Sequence, residues 1–317
     1  MIGLVSGALA ADAPTVPVAG KQAGDQREIM IKGIPVKFRW CPAGTFTMGS
    51  PVGEPERAAD EAQHQVTLSQ GFWLMETEVT QALWKAVKGP INAKFKGDDQ
   101  PAEPVSWYEA VEFCNALSEA TGLKSAYDID RQSKDPGNKV DEKKDTLKWK
   151  VTVVPGSDGF RLPTEAQWEY ACRAGTSTAF SFGDTVNTDQ ANYNGKNTYN
   201  NGPQGKYLEK TAPVGSYPPN PWGFHEMHGN AWEWCWDWHA PYPTGQVTDP
   251  CGPPEGGARI VRGGVWHYKP AYLRSAARYK DNPDKHWDLL GVRALLPSPV
   301  AAGNARPPVP VASPKAP

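Results

Sequence analysis

Apolar and polar positions alternate in short runs along most of the chain. From Ile29 to Met48 the runs are interrupted by glycine and proline, a pattern typical of a strand pair with a tight turn. The stretch from Gln65 to Val79 continues in the same style. Between Asp128 and Lys150 lysine and aspartate dominate, which predicts a solvated hairpin and not a binding tract.

Three stretches change to helical spacing, and each begins at a serine or threonine. Two of them carry the capping-box pattern, in which a Ser or Thr and a Glu or Gln three residues later bond each other's backbone N–H groups. The apolar positions that follow fall on one helix face. The expected helices therefore run from Thr80 to Lys88, from Ser106 to about Ala120, and from Thr164 to Gly175.

Short strands, few helices and frequent chain breakers predict a loop-rich α+β protein. Gly and Pro number 31 each, more than a helical bundle tolerates. With 317 residues and 13 tryptophans, the chain can bury one large core, so we expect a single folded domain.

The ends of the chain differ in composition from its middle. Residues 1–11 form an apolar run that ends in a small-x-small pattern like a signal-peptidase site, so we interpret them as the remnant of a signal peptide. No basic residue precedes Lys21, which leaves a mobile apolar terminus as the alternative. We expect a linker over 12–27, the folded domain over 28–297, and a disordered Pro/Ala-rich tail over 298–317.

The net charge argues against nucleic acid as a partner, and the hydropathy argues against a membrane-spanning segment. The net charge of -2 gives no field that would hold nucleic acid. No stretch approaches the 18 or so apolar residues that span a bilayer, so no transmembrane segment is expected.

The five cysteines are spread too widely to form a disulfide scaffold. Cys114 and Cys172 fall on the apolar faces of expected helices, where a thiol packs as a small hydrophobe. Cys235 and Cys251 are close in sequence, and their pairing in an oxidising compartment stays open.

Seven motifs, in this order, resemble the formylglycine-generating enzyme (sulfatase-modifying factor) family over about residues 30 to 297. The resemblance implies a variant of the C-type lectin fold, with short helices around a twisted antiparallel sheet. The motifs begin at Cys41, Glu78, Pro104, Arg161, Gly229, Arg262 and Gly291, and read CPAGTFTMGS, EVTQ, PVSW, RLPTEAQWEY, GNAWEW, RGG and GVR.

Active members of that family bind copper through two cysteines that follow the Arg-Gly-Gly motif. In this chain Val265 stands at the family's serine and Tyr268 at its first cysteine, and no cysteine occurs after Cys251. Copper(I) prefers thiolate ligands, which these residues do not supply. The resemblance therefore implies a protein that does not form formylglycine by the known mechanism and does not bind copper.

Other catalytic patterns are weak. His225 and His228 have helical spacing but lie in a loop-like stretch, and the remaining histidines are scattered, so no three-ligand metal set emerges from the sequence. Nor does the chain carry a nucleophile elbow or a phosphate-binding glycine loop.

The resemblance also implies a structural calcium site. Glu226 and Glu233 would supply carboxylates, and Gly229 and Ala231 backbone carbonyls, which are the hard oxygen ligands that calcium requires. A second calcium site at Asn192 and Tyr193 fits less well, because Lys206 stands where an Asp is expected.

Two aromatic groups remain. Trp232, Trp234, Trp236 and Trp238 alternate with other residues, which places them on one strand face, and we expect them to pack in the core rather than form a ligand platform. The other group replaces the family's catalytic groove with aromatic and cationic side chains. We expect it to form a ligand-binding groove, with a solvated surface as the alternative, at Trp266, His267, Tyr268, Tyr272, Arg274 and Arg278.

Two functions follow from these expectations. The first is a secreted or periplasmic binding module without catalysis, which holds a protein, peptide or glycan. The alternative is a divergent metal-dependent oxidoreductase of the same family that acts on a peptide or a peptide-derived metabolite.

Overall fold

A computed structural model describes residues 18–298. The α+β class is confirmed, with three short helices and thirteen short strands among the described residues. The helices are α1 (Gln81–Lys88), α2 (Trp107–Ala120) and α3 (Glu165–Arg173). The strands are β1 (Gln26–Ile31), β2 (Ile34–Cys41), β3 (Gly44–Met48), β4 (His64–Leu68), β5 (Phe72–Met75), β6 (Tyr127–Lys134), β7 (Trp149–Val153), β8 (Trp232–Trp238), β9 (Val247–Thr248), β10 (Arg259–Arg262), β11 (Tyr279–Asp281), β12 (Leu290–Gly291) and β13 (Leu295–Pro297).

Two four-stranded sheets organise the molecule. One has the strand order β1-β2-β5-β13 and the other β11-β10-β8-β12. A three-stranded sheet, β3-β4-β9, and the β6–β7 pair complete the described sheet structure. Most neighbours are antiparallel, and the β8–β12 and β4–β9 pairs are parallel.

The strand pair expected between Ile29 and Met48 begins as the β1–β2 hairpin. Its two-residue turn has φ values of 50° at Lys32 and 81° at Gly33. A two-residue hairpin turn with both values positive matches the right-handed twist of the strands, and glycine adopts such a value without strain.

The three expected helices are confirmed, and their caps explain where they begin. In α2 the Ser106 side chain accepts from the Glu109 backbone N–H, and the Glu109 carboxylate accepts from the Ser106 N–H. Thr164 and Gln167 make the same reciprocal pair at α3. Thr80 caps α1 by accepting the Leu83 N–H.

The charged excursion forms the expected hairpin, because β6 and β7 pair antiparallel. Its connecting segment is nevertheless tied to the core. Asp145 is fully buried and accepts bonds from the Tyr108 hydroxyl at 2.8 Å and the Asn138 amide at 2.6 Å.

Strand β8 lies between two hydrophobic clusters. Trp232 and Trp234 belong to the largest cluster and Trp236 packs against it, while Cys235 belongs to a second cluster. Trp238 is also buried, so the expected core role of the alternating tryptophans is confirmed.

The domain boundaries can be compared with the structure only in part. The apolar residues 1–11 and nearly all of the expected tail lie outside the described residues. Within the expected linker, order begins earlier than Glu28, because Asp25 accepts the Lys21 N–H and its carbonyl accepts the Trp40 N–H. All five cysteines are free thiols, and only Cys251 is partly exposed. No helix of residues 18–298 is long and apolar enough to cross a membrane.

Candidate functional site

The segment after β10 turns sharply at two glycines before it reaches the predicted groove residues. Gly263 and Gly264 have φ values of 98° and 84°. A Cβ on Gly264 would lie 2.6 Å from a Leu273 methyl carbon, so the close approach also requires glycine. The chain then forms a short 3₁₀ helix over Pro270–Leu273, which presents Tyr272 to solvent with 39% of its surface exposed.

Aromatic rings from this segment join rings from three other parts of the chain. Tyr268 is central, with ring centroids 5.1 Å from Tyr272, 6.2 Å from Tyr279 and 4.5 Å from His267. Trp266 continues the contacts, 4.9 Å from His267. We call this group of rings the aromatic strip, and it consists of Phe95, Tyr207, Trp266, His267, Tyr268, Tyr272 and Tyr279. Trp266 was expected to line the groove, but it is buried in the largest core cluster and supports the other rings from below.

The aromatic strip rests on a rigid floor. Trp232 of β8 lies under it, with its ring 6.1 Å from Tyr268 and 5.2 Å from Tyr279. Because Trp232 is 99% buried in the largest core cluster, the exposed tyrosines are held in place by the core. Rigid aromatic side chains lose little conformational entropy when they bind a partner.

Arg274 was expected in the groove, and the structure corrects this. Its side chain is only 2% exposed and its guanidinium donates to Glu61 through two bonds of 2.7 Å and to Glu54 at 2.6 Å. A guanidinium that is buried and held by two carboxylates has no free donor face for a ligand. Arg274 therefore anchors the loop that carries Glu54 and Glu61.

Arg278 requires the same correction. It donates to both carboxylate oxygens of Glu165, at 2.7 and 2.9 Å, and to the carbonyls of Asp60 and Ala240. The carboxylates that hold the two arginines, Glu54, Glu61 and Glu165, come from distant parts of the chain.

Lysines at the edge of the strip are also paired. Lys269 forms an ion pair with Glu56, and Lys94 with Asp288. Lys94 also lies 5.2 Å from the centroid of Phe95. Lys196 lies over another ring of the strip, 5.3 Å from the centroid of Tyr207. The strip therefore presents mainly aromatic surface, with cations at its edge.

The position of the family's first cysteine is occupied by half-buried Tyr268, and Leu273 beside it is fully buried. Among the described residues no group of three or more His, Cys, Asp and Glu side chains is arranged to hold a metal ion. His228 is instead a buried structural residue, since the Ser181 N–H donates to its Nε2 at 3.0 Å and its Nδ1 lies 2.7 Å from the Leu273 carbonyl oxygen.

The predicted calcium ligands fold into one buried, acidic region. Glu226 accepts the backbone N–H groups of Gly215 and Tyr217, and burial raises its pKa. Both oxygens of Glu233 accept bonds from Arg293, and one also accepts the Trp168 indole N–H at 2.7 Å.

A third carboxylate, Glu78, joins them. It is 1% exposed, and its pKa is raised by burial first and then by the charge of Glu226. One oxygen accepts from the Asn230 amide at 2.9 Å, while the other has no donor. Arg293 supplies one positive charge to a region with three carboxylates, so two negative charges lack a buried counter-charge when all are ionised.

The two predicted calcium sites are neighbours. Asn192 and Tyr193 are buried, and the Asn230 N–H donates to the Asn192 carbonyl at 2.9 Å. A Cβ on Gly229 would lie 2.3 Å from that same carbonyl oxygen, which explains the glycine. The Asn192 side-chain oxygen has no donor, and Ala231 is fully buried.

Calcium chemistry fits this set only in part, because Glu78, Glu226 and Glu233 do not form a ready group of metal ligands. Buried oxygen atoms without donors and an excess of carboxylates are what a hard divalent cation would satisfy. Glu233 already accepts hydrogen bonds from Arg293, so its carboxylate would have to bind the calcium ion and Arg293 at the same time.

Sequence reasoning missed several site residues. Phe95 and Tyr207 reach the strip from remote loops, and no local pattern marked them. Glu78 had a signal, since it opens one of the seven family motifs.

Family comparison agrees with the motifs. Residues 36–296 match the model of the sulfatase-modifying factor enzyme 1-like domain. The chain is 31% identical over 293 residues to a formylglycine-generating enzyme of Streptomyces coelicolor, covering 83% of this chain and 90% of that protein. It is 39% identical over 210 residues to the chaperone protein LppX of Paenibacillus barcinonensis, covering 63% of this chain and 71% of that one.

Solved structures support the same fold. Treponema denticola variable protein 1 is 29% identical, with a TM-score of 0.71 over 86% of this chain and 98% of that chain. PvdO from Pseudomonas aeruginosa is 24% identical, with a TM-score of 0.65 over 88% of this chain and 100% of that chain, a similarity that concerns the fold alone. The expected variant of the C-type lectin fold is confirmed.

Proposed function

Because the chain belongs to the family of sulfatase-modifying factor enzyme 1-like domains, we propose that it is a binding module of that family without its oxidase chemistry. It acts outside the cytoplasm and holds a protein or peptide partner on the aromatic strip.

The main support for this proposal is the composition of the aromatic strip and the ion pairs of the side chains beside it. Half-buried tyrosines stand on a rigid core, and Arg274, Arg278 and Lys269 next to them are paired with carboxylates. Tyrosine and tryptophan are enriched among the residues that dominate binding energy at protein interfaces. A surface of this kind favours an apolar segment of a partner protein or peptide.

Two further facts support the proposal. The stretch from Arg262 to Arg278 contains no cysteine, so the thiolates that copper(I) prefers are absent from it. One relative, which matches 63% of this chain, carries the name chaperone protein LppX, and chaperones bind other protein chains.

We also propose that calcium stabilises this module. Glu226 and Glu233 would hold the ion with oxygens from Gly229 and Ala231, and its charge would offset the excess of buried carboxylates. Glu78 and Asn192 contribute the neighbouring oxygens that lack donors. The weaker second site at Asn192 and Tyr193 shares this region.

The test of the binding proposal is partner capture by a Tyr268→Ala, Tyr272→Ala variant. Each effective anchor should cost about 2 kcal/mol, roughly a thirtyfold loss of affinity. Tyr217→Ala, at a half-buried tyrosine outside the strip, is the matched control. Loss of the partner by the double variant alone, with normal melting of both proteins, is the expected result.

Unchanged capture by the double variant would place the binding surface elsewhere. The competing oxidoreductase is tested by titrating the purified protein with copper and with iron. Tight stoichiometric binding of either metal would contradict a module without redox chemistry.

A further inference from the structure

A cavity of about 310 Å³ lies at the opposite end of β8 from the aromatic strip. It is bounded by the turn between β4 and β5, the end of β7 and residues 248–251 after β9. Trp236 lines it, whereas Trp232 lies under the strip, and four residues along an extended strand correspond to about 13 Å. No residue of the strip lines the cavity.

The walls of the cavity are mainly apolar. Trp236 and Tyr127 stack almost in parallel, with centroids 5.1 Å apart and an interplanar angle of 12°. Around this pair stand the side chains of Leu68, Phe72, Val153, Leu162, Pro250 and Pro297. A partly open, mainly apolar space of this size is typical of sites that bind small molecules.

Polar groups in the wall are already engaged by the protein. The Asp249 carboxylate accepts the backbone N–H of Ser69 at 2.8 Å and also its hydroxyl. The Arg161 guanidinium donates to the Leu162 carbonyl and to the Gln167 side-chain oxygen, both at 2.9 Å. A charged ligand would therefore have to displace these internal hydrogen bonds to reach either charged side chain.

From the size, the ring pair and these internal hydrogen bonds, we infer that the cavity binds a small, uncharged, largely aromatic molecule, at a site separate from the aromatic strip. The volume is at the lower end of the range for small-molecule pockets, which fits one or two fused rings. The stacked Trp236 and Tyr127 provide an aromatic wall against which such rings pack.

Cys251 provides a built-in reporter, because it lines the cavity and is the only partly exposed cysteine of the five. Burial raises the pKa of its thiol to about 11, with the carboxylate of Asp237 adding to the effect, so at neutral pH the thiol is protonated and slow to react. A ligand in the cavity would cover this sulfur, and slow alkylation can be followed without interference from the four buried thiols.

The probe is N-phenyl-1-naphthylamine, an uncharged aromatic dye that fluoresces in apolar surroundings. We expect saturable binding to one site, and at least fivefold slower alkylation of Cys251 by N-ethylmaleimide when the dye is saturating. A naphthalenesulfonate of similar size should bind at least tenfold more weakly, because its charge would be desolvated in a mainly apolar cavity where the Arg161 donors are already used by Leu162 and Gln167.

Variants separate the cavity from other surfaces. Val153→Trp places a ring in the cavity and should weaken dye binding at least tenfold, while the same change at the exposed Val52 should have no effect. The Tyr268→Ala, Tyr272→Ala variant should bind the dye normally. Absence of saturable binding, unchanged alkylation of Cys251 in the unaltered protein, or loss of the dye in the double tyrosine variant would overturn the inference.

Discussion

Replacing Arg274 by methionine tests whether this arginine supports the fold or contacts a ligand. The side chain is 2% exposed, and its partners Glu61 and Glu54 are exposed by 1% and 6%. Removal of the guanidinium leaves two buried carboxylates without a counter-charge. Breaking a buried ion pair in this way typically costs about 3 to 5 kcal/mol of unfolding free energy.

Urea denaturation of the purified protein measures this cost. Lys269→Met is the matched control, because its ion pair with Glu56 lies at the surface, with side chains 46% and 39% exposed. Exposed pairs contribute no more than about 1 kcal/mol. We therefore expect Arg274→Met to lower the denaturation midpoint strongly and Lys269→Met to leave it almost unchanged, at a similar slope for both.

The reasoning would be refuted if Arg274→Met cost less than about 1 kcal/mol of unfolding free energy and lost partner binding at the same time. That combination would mean that the guanidinium is free to contact a ligand. Partial recovery of stability in an Arg274→Met, Glu61→Gln variant would confirm that the unpaired carboxylate is the source of the loss.

Three further predictions concern calcium, catalysis and pH. Calcium at a hundredfold excess over its dissociation constant should stabilise the fold by about 2.7 kcal/mol, visible as a higher melting temperature than in EDTA, and Glu233→Gln should abolish the difference; equal melting in both conditions would remove the site. A sulfatase-type peptide incubated with the protein, copper and oxygen should keep its cysteine unchanged in mass spectrometry, because Tyr268 replaces a thiolate ligand. Burial raises the pKa of Asp237 to about 7, with Glu165 adding to the effect, so the folded state holds a proton that the unfolded state releases near pH 4. Stability from this group should therefore fall as pH rises from 4 to 7, and Asp237→Asn should flatten that part of the curve in urea titrations at several pH values.

The elements that depend on local signals could be predicted from the sequence. Ser106 and Thr164 specify where α2 and α3 begin because the capping box involves residues only three positions apart. The core role of Trp232 and Trp234 followed from the two-residue period of a strand. Each family motif is a short continuous stretch of the sequence, and together the motifs predicted the fold.

The contacts that decide the site are not local. Arg274 meets Glu61 across 213 positions of the chain, and Tyr268 meets Phe95 through Trp266, so no spacing rule connects them. The sequence showed which residues follow the Arg-Gly-Gly motif but not which of them are buried. The arginines were therefore expected beside the tyrosines at the surface, and the structure places them beneath it.

Site-specific photo-cross-linking tests the binding account most directly. A photoreactive phenylalanine analogue replaces Tyr272 on the aromatic strip or Met30, which is 61% exposed on β1. The protein is then irradiated in an extracytoplasmic extract of its source cells. We predict one discrete cross-linked partner from position 272 and none from position 30. The same products from both positions, or a cross-link from position 30 alone, would contradict a partner-binding role for the strip.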